Sequence, residues 1–341
     1  MIRNCLERWF EQIWYRDAPW FLVLVPFSWL YCLVTTVRRH VYRNANIGSV
    51  TLPVKVLVVG NITTGGSGKT PLVIALAQLL QRQGVRTGIV SRGYAGKAKH
   101  WPQQVTADSD PGLVGEEAVL LAAATGLPVF AGPDRVQAVR ALLEDTPVDA
   151  VISDDGLQHY RMQRDLEICV IDASRGLGNG WCLPAGPLRE PSSRLKSVDM
   201  VVTLGTVEHQ HWIHVKPGKL LPVCGTGVAR KLNDFRGERV HAVAGIGNPW
   251  RFFEQLRQAG IDCIEHVFSD HHHFRPSDLA FSDHRPVLMT GKDAVKCQAF
   301  AEPHWWFVTT ETELAPAVEK QVLELFPSIN NRKSSLGQKI A

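Results

Sequence analysis

The stretch that most constrains the fold is a glycine-rich turn between an apolar strand and a helix. The run 54–59 is apolar and β-branched, and a helical pattern begins at Pro71. Such a turn presents backbone N–H groups in a concave nest, and the helix N-terminus behind it adds positive potential. The pattern G-x-x-x-x-G-K-[ST] is met except at its first glycine, and it predicts a nucleoside-triphosphate site. The predicted phosphate-binding residues are Thr63, Thr64, Gly65, Gly66, Ser67, Gly68, Lys69 and Thr70.

The composition narrows the class of partner. A chain of 341 residues allows about two domains, each long enough to bury a core. The net charge of +4 is mild and no lysine-arginine block stands out, so we predict no nucleic-acid partner. The same charge suits a surface that lies on anionic lipid. No feature of the sequence requires an obligate protein partner.

The N-terminal region contains a segment without charged residues, over 18–37. About 20 apolar residues can span a bilayer, and the segment lacks the small-residue cleavage site of a secretory signal. Its prolines and aromatic residues also suit a helix lying in the membrane interface, and a buried helix of a soluble domain is the third alternative. We predict a membrane-associating helix over 1–45, spanning or monotopic, with the nucleotide chemistry on the cytosolic side.

Strands and helices alternate after this segment. This alternation predicts a P-loop NTPase-type α/β fold, with a mostly parallel sheet covered by helices on both faces. The predicted strands of the first half lie at 54–59, 87–91, 128–131, 150–153, 167–171 and 200–204. The predicted units are a P-loop core over 46–205, a connector or hinge over 206–238, a smaller α/β domain over 239–328 and a polar, disordered tail over 329–341.

An acidic pair follows the strand predicted at 150–153. A P-loop needs a carboxylate at the end of a neighbouring strand to hold Mg²⁺, and Asp154 and Asp155 stand in that place. Paired acids at a strand end also occur as solvated turns, but a P-loop in the same sheet favours the metal site. The predicted metal ligands are Thr70, Asp154, Asp155 and Glu117.

Further polar residues stand at other strand ends and in rigid loops, where ligands of open α/β sheets gather. Singly, each such motif is more often a structural turn or a solvated pair. The predicted substrate contacts are Arg92, Gln158, His159 and Glu190. In the run 270–273 an Asp-His pair can orient a general base, because only one histidine needs to face inward.

The loop core is similar to a variant loop of membrane- and partition-associated ATPases. That variant carries a lysine just before the two glycines, and this lysine acts across a dimer. Thr64 occupies the position here, which argues against a switch that needs a dimer for hydrolysis. The run 291–293 also lacks the N-K-x-D spacing that holds a guanine. A phosphotransferase is the better class, and the alternative is a membrane-bound P-loop ATPase switch that acts through partner binding.

The motifs together resemble those of the tetraacyldisaccharide 4′-kinases, the lipid A kinases of Gram-negative inner membranes. The resemblance runs from about Trp14 to Leu325. It rests on the ordered motifs at 59–71, 91–94, 154–159, 179–181, 183–190, 194–196, 245–249 and 292–296. It implies transfer of phosphate from ATP, with Mg²⁺, to the 4′-hydroxyl of a tetraacylated glucosamine disaccharide 1-phosphate. The implied location is the cytoplasmic side of the bacterial inner membrane.

The resemblance also implies the catalytic residues. In the family, an acidic residue of a G-D-E-P motif is the general base, assisted by the histidine of a D-H-H motif. Glu116 and His271 match these positions, but the motif here reads Gly-Glu-Glu-Ala, so the base is one methylene longer and Ala118 replaces the proline. Because His271 belongs to the predicted second domain, closure about the hinge is expected to complete the site. The expected catalytic residues are Glu116, His271, Lys69, Asp155 and Arg189.

Overall fold

The computed structural model describes residues 14–15, 19–44, 48–224 and 227–327. The predicted polar tail at 329–341 lies outside the described residues. A short 3₁₀ turn, Pro19–Leu24, leads into the first long helix. The α-helices are α1 Val25–Asn44, α2 Lys69–Arg82, α3 Pro111–Val114, α4 Glu116–Thr125, α5 Arg135–Asp145, α6 Pro249–Gln258, α7 Gly291–Cys297 and α8 Pro316–Leu323.

One sheet of 12 strands runs through the described part of the chain. Its strands are β1 Lys55–Gly60, β2 Thr87–Ser91, β3 Gln103–Val105, β4 Val129–Ala131, β5 Ala150–Asp154, β6 Leu166–Asp172, β7 Met200–Leu204, β8 Trp212–Pro222, β9 Arg239–Ala244, β10 Asp262–Val267, β11 Val287–Thr290 and β12 Trp305–Leu314. The spatial order is β10-β9-β11-β12-β8-β7-β6-β1-β5-β2-β4-β3. Neighbours pair in parallel except β3 with β4 and β8 with β12, which confirms the mostly parallel α/β fold.

Side chains alternate between two hydrophobic cores along the central strand β1, because successive strand residues point to opposite faces. Leu57 and Val59 pack in one core, with residues of α2, α4 and α8. Val56 and Val58 pack in the other, with residues of α5 and with Tyr31 of α1 at its margin. The sheet is therefore covered by helices on both faces, and this burial on both sides explains the unbroken apolar run of β1.

The segment predicted as a connector, 206–238, contains a strand that the sequence pattern does not indicate. β8 runs through Trp212–Pro222 and pairs antiparallel with β12, with a register shift between Val308 and Thr310. Pro217 and Gly218 stand inside this strand, and both residue types weaken a strand signal. The segment predicted as a connector thus contains regular structure. A hinge role for the β8–β12 ribbon stays a prediction, as do the domain boundaries.

Helix α1 has one docked face and one exposed apolar face. Ser28 is fully buried, and its hydroxyl donates a hydrogen bond of 2.6 Å to the carbonyl of Cys182. Phe21–Tyr42 forms a helical stretch of 22 residues that is long and apolar enough, by composition, to cross a membrane. The large apolar side chains exposed on it are Leu22, Val23, Phe27, Trp29, Leu30, Leu33, Val34, Val37 and Val41.

Candidate active site

The phosphate-binding loop joins β1 to α2 in the conformation that its glycines permit. Gly65 has φ 93° and Gly68 has φ 81°, in the left-handed region that side-chain-bearing residues avoid. No backbone carbonyl among the described residues accepts a hydrogen bond from the amides of 65–68. These amides, backed by the start of α2, form the predicted nest for an anion.

The loop at 183–190 holds the phosphate loop in place. The amide of Thr64 donates to the carbonyl of Pro187 at 2.8 Å, and the amide of Arg189 donates to Ile62 at 2.6 Å. Thr63 is buried and forms an isolated bridge to the same loop. Thr63 and Thr64, predicted as phosphate contacts, therefore also act structurally, because their backbones anchor the nest that begins at the next residue.

The two carboxylates after β5 have opposite electrostatic surroundings. Asp154 is 1% exposed, and neither of its carboxylate oxygens has a hydrogen-bond partner. Burial, followed by the nearby charges of Glu117 and Asp155, raises the pKa of Asp154 to about 7. Burial also acts on Asp155, but Lys69 at 3.3 Å and Arg189 at 3.2 Å outweigh it and hold the pKa of that carboxyl below its ordinary range.

The predicted base and its histidine meet, although 155 positions of the chain separate them. His271 Nδ1 lies 2.7 Å from Glu116 Oε1, and Asp270 Oδ2 lies 3.7 Å from His271 Nε2. Lys296, which is nearly buried, approaches the other oxygen of Glu116 at 3.5 Å. Burial raises the pKa of Glu116, but the close contact with His271 and the charge of Lys296 outweigh it and lower the pKa to about 2. Glu116 in turn raises the pKa of His271.

A second ion pair involves Glu117, the residue next to Glu116. Lys292, at the start of α7, lies 2.5 Å from Glu117 on α4. The loop after β9 also closes on the phosphate loop, because a Cβ placed on Gly247 would lie 3.8 Å from the amide nitrogen of Gly66. The carboxyl ends of β9 and β11 therefore face the carboxyl end of β1 across one cleft, and the structure brings Glu116, His271 and Lys69 to it.

The predicted substrate contacts lie in different surroundings. Glu190 is 2% exposed and is bound by Tyr160, by Gln158 at 2.9 Å and by Arg194 at 3.4 Å. Glu190 and Gln158 thus belong to a buried network that supports the loop at 183–190. His159 is partly buried, and this burial lowers its pKa to about 4.

Arg92 is exposed at the end of β2, on the same edge of the sheet as the phosphate loop. It is the predicted substrate residue whose side chain is most open to solvent.

The comparisons with known proteins agree with this geometry. The family model of tetraacyldisaccharide-1-phosphate 4′-kinase matches residues 20–327. The chain belongs to this family. It is 48% identical to the tetraacyldisaccharide 4′-kinase of Nitrosococcus oceani, covering 95% of this chain and 96% of the relative. It is 49% identical to that of Alcanivorax borkumensis, covering 94% and 97%.

A solved structure extends the likeness to three dimensions. The crystal structure of LpxK from Aquifex aeolicus in complex with ATP matches with a TM-score of 0.77 and 29% identity, covering 91% of this chain and 99% of that one. The predicted family and fold class are thereby confirmed.

The tetraacyldisaccharide 4′-kinase fold also brings into the site residues to which the sequence patterns assign no role. Lys292 and Lys296 lie in one of the family motifs, but only the fold reveals that they face Glu117 and Glu116. Asn61 accepts a hydrogen bond of 3.1 Å from Lys69. The signal for all three was their presence in motifs that contain charged residues. The roles of Lys292 and Lys296 needed contacts between distant parts of the chain.

The site offers two groups of oxygen and nitrogen atoms for a metal ion. The predicted group around Asp154 includes carboxylate oxygens without partners. A second group, not predicted, comprises Glu116, Asp270 and His271, whose candidate ligand atoms all lie within 4.8 Å of one another. His272 does not join it, because its ring nitrogen contacts Asp278 at 3.1 Å.

Proposed function

We propose that the chain transfers the γ-phosphate of ATP to the 4′-hydroxyl of a tetraacylated glucosamine disaccharide 1-phosphate. The observation that carries this proposal is the meeting of a phosphate nest, at 65–68, with the buried Glu116 and its partner His271 across one cleft. The names of the relatives and the ATP bound in the matched structure support the same reaction.

The reaction forms a bond from the 4′ oxygen to the γ-phosphorus. The bond between this phosphorus and the β,γ-bridging oxygen breaks, and its electron pair leaves with ADP. The hydroxyl proton passes to Glu116. Because such transfer depends mainly on positioning and charge neutralisation, the protein needs to align the hydroxyl and hold the phosphates.

Glu116 suits the alignment because its pKa of about 2 keeps it ionised throughout the physiological range. An ionised carboxylate accepts a hydrogen bond from the hydroxyl and aims the oxygen at phosphorus. It takes the proton as the new bond forms, and His271, in contact at 2.7 Å, fixes its orientation. In this proposal Arg189 neutralises charge on the transferring group or on the disaccharide phosphate.

The nucleotide binds at the phosphate loop, where the amides of 65–68 and Lys69 hold the β- and γ-phosphates. Mg²⁺ fits beside them, because Asp154 offers two buried carboxylate oxygens without a partner. Thr70, Asp154 and Asp155 would hold it directly or through water, and Glu117 would join by exchanging its partner Lys292. When bound, the metal neutralises charge on the phosphate oxygens.

The helix α1 associates the enzyme with a membrane, and we propose that it does so as a monotopic helix. One face is docked on the core through Ser28 and Tyr31, so this face is not available to lipid. The exposed apolar face then lies in the leaflet, with the helix axis along the surface. The proposed membrane is the bacterial inner membrane, with the cleft on the cytoplasmic side, where ATP is present.

The decisive experiment incubates the full chain with γ-labelled ATP, Mg²⁺ and a tetraacyldisaccharide 1-phosphate in mixed micelles. Label in the lipid phase, lost in Lys69→Ala, supports the kinase. ATP hydrolysis that lipid stimulates without label in the lipid phase would instead support the alternative, a membrane-bound ATPase switch.

A further inference from the structure

A further cation stands against the phosphate loop, besides Lys69 and Arg189, which both pair with Asp155. Arg175 lies in the turn after β6, and its amide donates to the carbonyl of Asp172 at 3.2 Å. Its guanidinium reaches the loop, since a Cβ placed on Gly65 would lie 3.0 Å from Arg175 Nη1. The same guanidinium lies over the ring of Tyr15, with Cζ 5.0 Å from the ring centroid. Arg175 thus connects the phosphate loop to the N-terminal segment.

Two features give this placement a chemical meaning. Gly65 opens the run of amides, 65–68, that donate to no backbone carbonyl among the described residues, so a cation beside it stands next to the nest available to a phosphate. Lys69 reaches the site from the helix side, 3.3 Å from Asp155. Lys69 and Arg175 therefore approach the phosphate loop from different elements of the fold.

We propose that Arg175 is a catalytic residue that contacts the transferring phosphoryl group, as an arginine finger supplied by the same chain. In the variant loops of the partition-associated ATPases, a lysine from a dimer partner brings the second cation, and Thr64 stands in its place here. Arg175 supplies this cation from the same chain, so no dimer partner is required. This inference rests on the proposed function, because it assigns a role within the same phosphoryl transfer.

The planar guanidinium suits this role better than an ammonium. As the bond to the 4′ oxygen forms and the bond to the ADP oxygen breaks, charge spreads over the equatorial oxygens of the transferring group. A guanidinium donates two parallel hydrogen bonds to such oxygens and is always charged. No proton leaves Arg175 in this step, because the hydroxyl proton goes to Glu116.

The residues around Arg175 hold its guanidinium in position. A side chain on Gly65 would enter the space of the guanidinium, so a residue without Cβ keeps the arginine in place. Tyr15 supports the guanidinium through a cation–π contact. The adjacent Trp14 is fixed by a hydrogen bond of 3.0 Å from its indole nitrogen to Pro184. The N-terminal segment thereby orients a residue of the active site.

The test compares Arg175→Ala and Arg175→Lys with the wild type and with Arg140→Ala, a change of an exposed arginine on α5. We expect kcat to fall about 10³-fold or more in Arg175→Ala, with KM for ATP within about threefold, because the contact strengthens in the transition state. Arg175→Lys keeps the charge without the fork and is expected to recover part of kcat. Arg140→Ala is expected to match the wild type.

Binding of nucleotides gives a second readout on the same variants. Arg175→Ala is expected to lose affinity for Mg²⁺–ADP–aluminium fluoride, a mimic of the transferring group, by at least about 30-fold more than for Mg²⁺–ADP. Equal losses for both ligands, or kcat within threefold of the wild type, would overturn the assignment. If Arg175→Ala does not fold, Arg175→Lys and Tyr15→Leu carry the test, and unchanged kcat in both overturns it equally. A wild type without lipid labelling would defeat the proposed function itself, whereas an active wild type with active Arg175 variants defeats this inference alone.

Discussion

Replacement of Asp154 by asparagine is expected to stabilise the metal-free protein, and to do so more at high pH. In the folded chain, burial and two neighbouring carboxylates raise the pKa of Asp154 from 3.8 to about 7. A carboxyl with a raised pKa holds its proton in the folded state while the unfolded chain has already lost it. The destabilising effect of Asp154 on the free energy of unfolding is therefore absent below pH 3.8, grows as the pH rises and reaches its full size once the pH passes about 7.

The size of the effect follows from these two pKa values. Each pKa unit corresponds to about 1.4 kcal/mol, so a rise from 3.8 to about 7 removes about 4 kcal/mol from the stability at pH 8. About 3 kcal/mol of this loss falls between pH 5 and pH 7. Asparagine has no charge to bury, so the advantage of Asp154→Asn over the wild type is expected to be about 3 kcal/mol larger at pH 8 than at pH 5. In a chain of 341 residues this corresponds to about 4 °C in Tm.

The assay is thermal and urea unfolding of both proteins at pH 5 and pH 8, in EDTA and without nucleotide. Asp155→Asn is the matched control, since Lys69 and Arg189 pair with this neighbouring carboxylate and its pKa is lowered. A lowered pKa contributes stability above the ordinary value, so Asp155→Asn is expected to destabilise at both pH values. If Asp154→Asn changes Tm equally at pH 5 and pH 8, or destabilises at pH 8, the reasoning about a buried charge is refuted.

Three further outcomes follow from the contacts of the site, the buried network and α1. Glu116→Gln is expected to lower kcat by about 10²–10⁴-fold and His271→Ala by less, both with little change in KM for ATP, in steady-state transfer of label to lipid; an unchanged kcat in His271→Ala would remove this residue from the site. Arg194→Met is expected to cost about 3–5 kcal/mol in urea unfolding, because Arg194 is 2% exposed and compensates the buried Glu190; a cost below about 1 kcal/mol would contradict a buried network. Leu30→Glu, on the exposed face of α1, is expected to lower the affinity for anionic vesicles at least about tenfold in a co-sedimentation assay, without loss of Tm. Equal binding of the variant and the wild type would show that this face does not contact lipid.

The parts of the fold that sequence predicts well are those that local chemistry determines. The predicted strands at 87–91 and 200–204 coincide with β2 and β7, because each is a short apolar run between turn residues. The phosphate loop is equally local, since glycines and a lysine in fixed order define it. β8 is missed for the opposite reason: its pairing with β12 stabilises a strand that contains Pro217 and Gly218.

The candidate site is predictable in its members and not in its connections. The motifs single out Glu116, His271 and Asp155, yet nothing local indicates that Lys292 pairs with Glu117. Glu190 is predicted as a substrate contact from its place in a rigid loop, whereas the structure buries it in a network of side chains. Such differences arise because burial and ion pairing depend on which distant segments the sheet brings together.

The docking of α1 determines how the two substrates find each other. From the buried Ser28 a hydrogen bond leads to Cys182, and the loop beyond it is bonded through Pro187 to Thr64 of the phosphate loop. Helix α1 and the phosphate site are thus joined by a short chain of contacts. If α1 lies in a leaflet as proposed, these contacts hold the reaction centre at a constant height above it. ATP would then reach the centre by diffusion in three dimensions, and the lipid acceptor by diffusion in two.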